Sequence, residues 1–537
     1  MKSLAPILAL LLVGAAPVPE PDYDIVIRGG RLLDGAGNPW VGGDIAIKDG
    51  RIARIGVVKG RGRDEIDAKG RYVAPGFIDM MDQSGEVLLK NGAAENKLRM
   101  GVTTVIAGEG GTPVDAANIG DYFERLEKSG ISVNFAVYYN SAQPRTKVMG
   151  EGAGTPTPAQ LAAMRAETAI AMKNGAFGVS TALIYPPNSF QSTQEIAALA
   201  QEAGRCGGFY VSHIRDESAG LLEAIDEAIA IGEQSGAKVE IFHLKAAYRP
   251  LAGKLMPHAL ARIAAARARG VDIAADLYPY AAGGTGLDIT VPNWVFAQGA
   301  RAGFEKLRDP AVRARLKREV AAGSQPGWSN LVAAAGGWDH VMLANAYDAA
   351  MDRHRGQSIA AIARAQGRDP ADVAWDIVLK ALPNRAMALY FMMDEADIDL
   401  ALQQPWTSIG TDAGSALHFG EVDAIGLPHP RAYGTFPRIL AHYVRDRHVL
   451  TLEDAVRKMT SWPAQRMGLA DRGVLREGLR ADIAIFDADH VQEGATWQEP
   501  LRAPTGIDDV IVNGVAVLRG GRPTAARPGM ALRHRCD

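Results

Sequence analysis

The chain has 537 residues and a formal net charge of −3, from 58 Lys and Arg against 61 Asp and Glu. Because binding to a phosphate backbone needs clustered positive charge, this balance argues against a nucleic-acid partner. Apolar residues make up 47% of the chain and charged residues 22%, which excludes disorder as its main state.

The first 16 residues, MKSLAPILALLLVGAA, have the pattern of a secretory signal peptide. Lys2 is followed by an apolar run from Leu4 to Val13 and then by small residues, with a cleavage point after Ala15. The alternative is a buried or membrane-anchoring helix, but the run is short for a bilayer span. No later stretch reaches the roughly 18 apolar residues that a span needs. We therefore predict an exported, periplasmic protein without a stable membrane span after processing.

Residues 22–74 predict the N-terminal part of a small β-sandwich. Short strand-like runs alternate there with turns rich in Gly, Asn and Asp, which is typical of antiparallel hairpins. Residues 468–530 return to the same pattern, and Asn513–Gly514 between two apolar runs indicates a two-residue hairpin turn. The economical interpretation is one sandwich built from both chain ends.

Residues 75–467 between these ends predict an α/β domain. Ala-rich helical segments separate eight strand-like runs: Gly76–Met80, Thr103–Ala107, Ser132–Tyr138, Gly178–Thr181, Gly208–His213, Lys238–His243, Asp272–Leu277 and Thr407–Thr411. This alternation favours a (β/α)8 barrel of the TIM type. The roughly 120 residues between the last two runs are too many for one crossover. We therefore expect about residues 285–400 to form a large, mostly helical insertion near one barrel face.

Polar residues at the ends of these runs are candidates for chemistry, because catalytic residues of such barrels lie at the carboxyl ends of strands. They are Glu109, His213, His243, Asp412, Asp79, Tyr278 and Lys245. Two histidines and one carboxylate match a catalytic zinc site with an open position for water, and bound zinc lowers the pKa of that water towards 7. Asp412 would then act as general base and general acid.

Each of these residues also has a structural interpretation. Either histidine could be a hydrogen-bonded core residue, Glu109 could be a turn carboxylate within GEGG, and Asp412 could cap the turn that follows it. The two histidines stand at consecutive strand ends, which favours a metal site over two unrelated core histidines. The two cysteines, Cys206 and Cys536, are too few for a disulfide framework or a cysteine-based zinc site, and we do not expect a bridge between them.

The chain also carries a series of longer motifs in a fixed order: VAPGFID, GVTTVIAGEGG, GAFGVSTALIYPP, YVSHIRDE, FHLKAA, DLYPY, GTDAGS, HPRAYGTFPRIL, DRGVLREGLRADIAIFD and GIDDVIVNGVAV. Together they span roughly residues 23–530 and resemble the N-acyl-D-amino-acid deacylase (D-aminoacylase) branch of the amidohydrolase superfamily. The fold of that family, a barrel plus a β-sandwich made from both termini, agrees with the pattern of strands. The resemblance implies zinc-dependent hydrolysis of the amide bond of N-acyl amino acids, with the D configuration expected.

The resemblance also assigns roles to residues. It implies His213 and His243 as zinc ligands and Asp412 as the catalytic carboxylate. It implies that Lys245 and Tyr278 bind the free carboxylate of the substrate.

Arg431, in HPRAYGTFPR, is a candidate for the same task or for shaping the site. The alternatives are an ion pair outside the ligand shell for Lys245 and barrel packing for Tyr278.

The sequence departs from this family at two places. Where the family has His-x-His after the first barrel strand, this chain has Met81, Asp82 and Gln83, and where the branch tends to have Cys it has Glu109. Met and Gln are poor zinc ligands, so a second metal is not expected. We expect Gln83 to hydrogen-bond the attacking water or the acyl group of the substrate, and Asp82 to support the ligands.

The two departures are linked by a second resemblance. N-acetylglucosamine-6-phosphate deacetylases, another branch of the superfamily, hold one zinc with a Glu and two His, and Glu109, His213 and His243 would reproduce that set. We therefore expect one zinc per chain and a small-molecule N-acyl amino acid as the partner. Two alternatives remain open: hydrolysis of dipeptides or cyclic imides at the same site, or a metal-free binding protein on a decayed barrel. The sequence does not indicate an oligomeric state.

Overall fold

The computed structural model describes residues 20–421 and 427–536, so the signal-peptide prediction at residues 1–16 lies outside the described part. The first described strands belong to the N-terminal β region: β1 (Tyr23–Leu32), β2 (Val41–Lys48), β3 (Arg51–Gly56), β4 (Gly62–Asp67) and β5 (Tyr72–Pro75). Strands β1, β2 and β3 pair in antiparallel order, and β4 and β5 pair parallel to β1. Among the described helices, none is both long enough and apolar enough to cross a membrane.

The barrel begins directly after β5. Its strands are β6 (Phe77–Asp82), β7 (Val102–Ala107), β8 (Asn134–Val137), β9 (Tyr139–Asn140), β10 (Gly178–Ala182), β11 (Phe209–His213), β12 (Lys238–Ile241) and β13 (Ile273–Leu277). They pair in parallel, and β8 and β9 are two parts of one path, because β8 pairs with β7 and β9 pairs with β10. Nearly every residue in these strands is buried, as expected for parallel strands covered on both faces.

Helices alternate with the barrel strands on the chain. They are α1 (Val87–Lys90), α2 (Glu95–Arg99), α3 (Ile119–Ser129), α4 (Ala142–Met149), α5 (Pro158–Lys173), α6 (Thr193–Gly204), α7 (Leu221–Ser235) and α8 (Leu255–Ala268). Local sequence fixes where they start. Thr157 begins α5, because its side chain accepts from the amide of Gln160 while the Gln160 side chain accepts from the amide of Thr157.

The predicted insertion contains helices and also a small sheet. Its helices are α9 (Ala300–Lys306), α10 (Pro310–Ala322), α11 (Leu331–Ala335), α12 (Ala349–Asp352), α13 (Ile359–Gln366) and α14 (Pro370–Ala381). Strands β14 (Ala282–Gly286), β15 (Val341–Asn345) and β16 (Met387–Phe391) form an antiparallel sheet in the order β14-β16-β15. The sheet was not predicted, because the sequence of β14, AGGTG, has no apolar strand pattern.

The chain then returns to the barrel through α15 (Glu395–Leu402) and β17 (Thr407–Ile409). Strand β17 pairs parallel to β13, and a parallel bridge between Asp82 and Ala413 brings it next to β6. The amide of Asp412 also donates to the carbonyl of Met81 at 2.9 Å. The eight predicted barrel strands therefore follow one another in the predicted order, and the eighth lies beside the first.

The remaining helices are α16 (Arg431–Arg438), which continues into a π-helical segment (Ile439–Asp446), α17 (Leu452–Met459) and α18 (Ser461–Met467). Strands β18 (Ile483–Phe486), β19 (Ile507–Val512), β20 (Val515–Arg519) and β21 (Arg522–Pro523) complete the chain. Strand β18 pairs with β5, so that within the described residues nine strands from both chain ends form one sheet. The predicted fold, an α/β barrel with a β-sandwich built from both ends, is confirmed.

The prediction about the cysteines was wrong, because Cys206 and Cys536 form a disulfide with 4.7 Å between their Cα atoms. The C-terminal tail returns along the barrel. The amide of His534 donates to the carbonyl of Gly175, and its imidazole bonds the carbonyl of Cys206 at 2.8 Å. Cys206 and Cys536 are thus neighbours in space although 330 residues separate them in the sequence.

Candidate active site

The carboxyl ends of the barrel strands meet around one cavity of about 550 Å³. The sequence-predicted residues that line it are Gln83, Glu109, His213, Lys245, Tyr278, Asp412 and Arg431. His243 lies just behind this wall, with 1% of its side chain exposed. The parallel strands thus bring residues from positions 83 to 412 to one edge, as a barrel does with residues at its strand ends, and Arg431 reaches the cavity from the start of α16.

Glu109, His213 and His243 form the group that could hold a metal ion. One ligand atom from each lies within 4.8 Å of the others, and all three residues are buried. Oε1 of Glu109 is 2.9 Å from Nδ1 of His213 and 3.5 Å from Nε2 of His243. Tetrahedral ligands bound to zinc at about 2.1 Å lie about 3.4 Å apart, so this donor set fits one zinc ion with an open position.

Local sequence places Glu109 at this edge. Gly108 follows β7 with a φ of 117°, and a Cβ at that position would collide with the backbone of Tyr138. Only glycine allows this turn, which directs Glu109 towards the two histidines. The side chain of Asn140 also donates to the carbonyl of Glu109 and fixes the loop.

The electrostatics of this group favour a cation. Burial opposes charge on Glu109, but the hydrogen bonds to His213 and His243 lower its pKa below the ordinary value. Burial likewise opposes charge on His213, but Glu217 and Glu109 outweigh it and raise the pKa of His213 to about 9. A divalent metal would supply the positive charge that these carboxylates select, and its binding would displace the proton of His213.

Glu217 is a part of the site that sequence reasoning missed. Its Oε1 lies 3.0 Å from Nδ1 of His243, and it lines the cavity. Glu217 and Lys245 both lie beside Nδ1, which leaves Nε2, 3.5 Å from Glu109, as the nitrogen available to a metal. Glu217 lies in the loop after β11, so it carries no strand-end signal. Its spacing of four residues from His213, within HIRDE, is the one pattern that could have indicated it.

Lys245 takes part in an ion pair at this wall. Its Nζ is 2.6 Å from Oε1 of Glu217 and 2.7 Å from Nδ1 of His243. The ammonium group also lies 5.5 Å from the ring centre of Tyr278. The structure therefore contains the ion pair that was the alternative for Lys245, while the same side chain still borders the cavity. Its role in binding the substrate carboxylate stays a prediction.

Tyr278 presents an unused hydrogen-bond donor. Its hydroxyl is buried and has no hydrogen-bond partner among the described residues. Burial raises the pKa of this hydroxyl, so it remains protonated at neutral pH. The guanidinium of Arg431 lies 4.5 Å over its ring. A buried donor without a partner, next to two cations, is suited to an anionic ligand group.

Asp412 is held in a backbone conformation that side chains rarely adopt. Its φ is 48°, and His243 has a φ of 37°. Strain of this kind is concentrated at functional sites, where the surrounding structure imposes it. Oδ2 of Asp412 lies 2.6 Å from Nη1 of Arg431 and 3.9 Å from Nε2 of His243. The carboxylate thus stands beside the metal-ligating group.

Gln83 has contacts that differ from those expected. Its amide nitrogen donates to Oε2 of Glu109 at 2.9 Å and to Oδ1 of Asp412 at 2.6 Å. Both amide hydrogens are engaged by carboxylates, which leaves only Oε1 to contact a water or an acyl group.

Asp79 and Asp82 lie outside the cavity and form ion pairs with the buried side chain of Lys97. Asp79 is therefore a structural residue and not a candidate for catalysis. The position of Asp82 agrees with the supporting role expected for it.

Known proteins resemble this chain over nearly its whole length. The amidohydrolase family matches residues 64–518. An N-acyl-D-glutamate deacylase from Alcaligenes xylosoxydans xylosoxydans is 34% identical over 96% of this chain and 97% of its own length.

Two solved structures agree with this similarity. An N-acyl-D-glutamate deacylase from Bordetella bronchiseptica, complexed with zinc and a phosphonate mimic of the tetrahedral intermediate, is 31% identical with a TM-score of 0.79, covering 95% of this chain and 99% of that one. A D-aminoacylase with a binuclear metal centre, described as activated by one metal and attenuated by a second, is 30% identical with a TM-score of 0.78, covering 95% and 100%. This chain belongs to the amidohydrolase family.

Proposed function

We propose that this protein hydrolyses the amide bond of N-acyl-D-amino acids with one zinc ion held by Glu109, His213 and His243. The observation that carries the proposal is the meeting of this ligand group, Asp412 and the Tyr278 hydroxyl, which is without a partner among residues 20–421 and 427–536, around one cavity. The activity named for the relatives and the zinc in the Bordetella structure support it. The products are a carboxylate and a free amino acid.

The catalytic chemistry divides between the metal and one carboxylate. Bound zinc would polarise the amide carbonyl and lower the pKa of the attacking water. Asp412, beside His243, takes the proton of that water and returns it to the leaving amine nitrogen. Arg431 and Gln83 each contact one oxygen of Asp412 and hold its orientation.

The substrate carboxylate has a place beside Tyr278. The hydroxyl of Tyr278 donates to it, and Arg431 and Lys245 supply the positive charge that attracts it. Fixing this group positions the scissile amide against the reacting residues, and that positioning is itself a large part of catalysis. The requirement for a free carboxylate distinguishes N-acyl amino acids from neutral amides.

Paired substrates test the proposal. Zinc-loaded protein is incubated with matched N-acetyl-D- and N-acetyl-L-amino acids, and the free amine is measured; Asp412→Asn serves as the inactive control. We expect release of the D-amino acids by the parent protein and almost none by the variant. Hydrolysis of dipeptides or cyclic imides alone would replace the substrate class, and a protein that neither binds zinc nor turns over any amide would be a binding protein.

We also propose that the protein is exported and processed after Ala15. The pattern of residues 1–16 supports export, and so does the disulfide between Cys206 and Cys536, since such bonds persist mainly in oxidising compartments. N-terminal sequencing of protein from the periplasmic fraction tests this. A mature chain that begins at Ala16 is expected, and an unprocessed cytoplasmic chain would contradict it.

A further inference from the structure

Gln83 lies between two carboxylates of the candidate active site. Its amide joins Oε2 of Glu109 and Oδ1 of Asp412, at 2.9 and 2.6 Å. The side chain follows strand β6 and is exposed to the cavity. A neutral group thus connects two acidic residues that come from opposite ends of the barrel sequence.

The Gln83 amide forms a bridge between Glu109 and Asp412, and it leaves the two oxygens of Glu109 with different partners. Oε1 faces the imidazoles of His213 and His243, whereas Oε2 accepts from Gln83. Facing carboxylates usually share a cation or a proton, because two negative charges at short range repel. Here the two N–H groups of one amide satisfy an oxygen of each carboxylate and add no charge.

Met81, two residues earlier, cannot supply another ligand. It is buried in an apolar cluster with Ile78, Met80 and Ile106. A thioether is a soft ligand and binds zinc poorly compared with imidazole. Within the described residues, Glu109 and the two histidines are the one group of three or more metal-ligating side chains.

We propose that Gln83 takes the place of a second metal ion, so that the site holds one zinc and is not attenuated by excess metal. The inference rests on the proposed function, because it assumes that Glu109 and the two histidines bind the first zinc. It would separate this chain from the D-aminoacylase that is described as attenuated by a second metal. Gln83 acts as a positioning residue, which directs Glu109 to the histidines and holds Asp412 beside them.

Zinc stoichiometry tests the inference without relying on activity. The purified protein is stripped of metal and titrated with zinc, and bound metal is followed by calorimetry and elemental analysis. Hydrolysis of an N-acetyl-D-amino acid is measured on the same samples. We expect one bound zinc per chain, and a rate that stays at its plateau when zinc exceeds its Kd by about a hundredfold.

Variants with added histidines test whether a second zinc site can be created next to the first. Met81→His with Gln83→His should bind a second zinc and lose rate in excess zinc. Gln83→His alone, which leaves the apolar packing of Met81 intact, should show the same second binding step more weakly. Gln366→His, at the exposed end of α13, controls for zinc bound by any added imidazole.

Gln83→Leu removes the bridge and adds no ligand. It should still bind one zinc, with about 10- to 100-fold lower affinity, as expected when a group that orients a ligand is lost. A parent protein that binds a second zinc as tightly as the double variant, or slows equally in excess zinc, would overturn the inference while leaving the proposed function intact. If the protein binds one zinc per chain but hydrolyses no N-acyl-D-amino acid, the proposed function is wrong, while the inference that Gln83 replaces a second metal ion still stands. Absence of zinc binding would overturn both.

Discussion

Two buried lysine clusters differ in whether an unused hydrogen-bond donor borders the cavity. In the Lys97 cluster, the three hydrogens of the ammonium group donate to Asp79, Thr411 and the carbonyl of Ala413, at 2.6–2.8 Å. Asp82 lies 2.7 Å away as a second carboxylate. The Lys97 side chain is 0% exposed, and the cluster lies beneath the turn that carries Asp412.

In the Lys245 cluster, the ammonium group contacts Oε1 of Glu217 and both Nδ1 and the carbonyl of His243. The nearby hydroxyl of Tyr278 is a buried donor that has no hydrogen-bond partner among the described residues. Both Lys245 and Tyr278 border the cavity.

The comparison shows which feature indicates a functional site. Buried charge is common to both clusters, and the barrel stabilises both through opposite charges at short distance. Only the Lys245 cluster combines buried charge with an unused donor and open space, which is the arrangement that a ligand would complete. The Lys97 cluster acts on the chemistry indirectly, by holding the strained backbone on both sides of Asp412. The following predictions test this division.

The largest effect is expected for Asp412→Asn, at the junction of the two clusters. The amide keeps the shape of the side chain and its capping ability but removes the base, so kcat should fall about 10²- to 10⁴-fold. Zinc content should match the parent protein, because Asp412 lies outside the ligand group and the contacts of the Thr411 hydroxyl and the Ala413 carbonyl with Lys97 remain. Turnover at the parent rate would show that the carboxylate is not the proton acceptor.

Lys97→Met should act on stability instead. It leaves Asp79 and Asp82 buried without their cation, and breaking a buried ion pair in this way costs about 3–5 kcal/mol. The free energy of unfolding, measured in urea, should fall by that amount. Lys90→Met is the matched control: Lys90 is an exposed helix residue paired with Glu86, and its loss should cost less than about 0.5 kcal/mol. Equal stability of the two variants would contradict the structural role of Lys97.

Lys245→Ala should weaken recognition of the substrate carboxylate. Loss of a hydrogen bond to a charged group is worth about 1.5–3 kcal/mol, so kcat/KM for an N-acetyl-D-amino acid should fall at least about tenfold. With the corresponding amide, which has no carboxylate, parent and variant should react at similar low rates. If the variant loses equally on both substrates, Lys245 serves only to hold Glu217 and His243.

The positions of the barrel strands and their polar ends were predictable from sequence for a physical reason. Parallel strands buried on both faces appear as short apolar runs, and the first polar residue after each run reaches the catalytic edge. Glu109, His213 and Asp412 follow that rule. Glu217 does not, because it reaches the site from a loop, so the ion pair that was the alternative for Lys245 had no named partner.

Contacts made by segments distant in sequence were not predictable. Nothing in the local pattern around Cys206 indicates that the C-terminal tail returns to it. The bridge from Gln83 to Asp412 depends on the meeting of the first and last barrel strands, so the sequence suggested a contact with water or substrate instead. In both cases the sequence shows the chemistry of the residue but does not show which residue lies next to it in space.

Tyr278→Phe is expected to give the smallest effect and the sharpest contrast between paired and unpaired groups. Because the hydroxyl has no hydrogen-bond partner in the described part of the chain, its removal should leave the free energy of unfolding unchanged or slightly higher. In catalysis it removes one donor to the substrate carboxylate, worth about 0.5–1.5 kcal/mol, so kcat/KM should fall about 2- to 12-fold, mainly through KM. Tyr138→Phe is the control: that hydroxyl donates to the sulfur of Met467 in the barrel interior, at 3.1 Å, and its loss should lower stability without changing KM. A Tyr278 variant that loses stability but keeps its KM would place the hydroxyl with the structural group, and the distinction between the two lysine clusters would lose its main support.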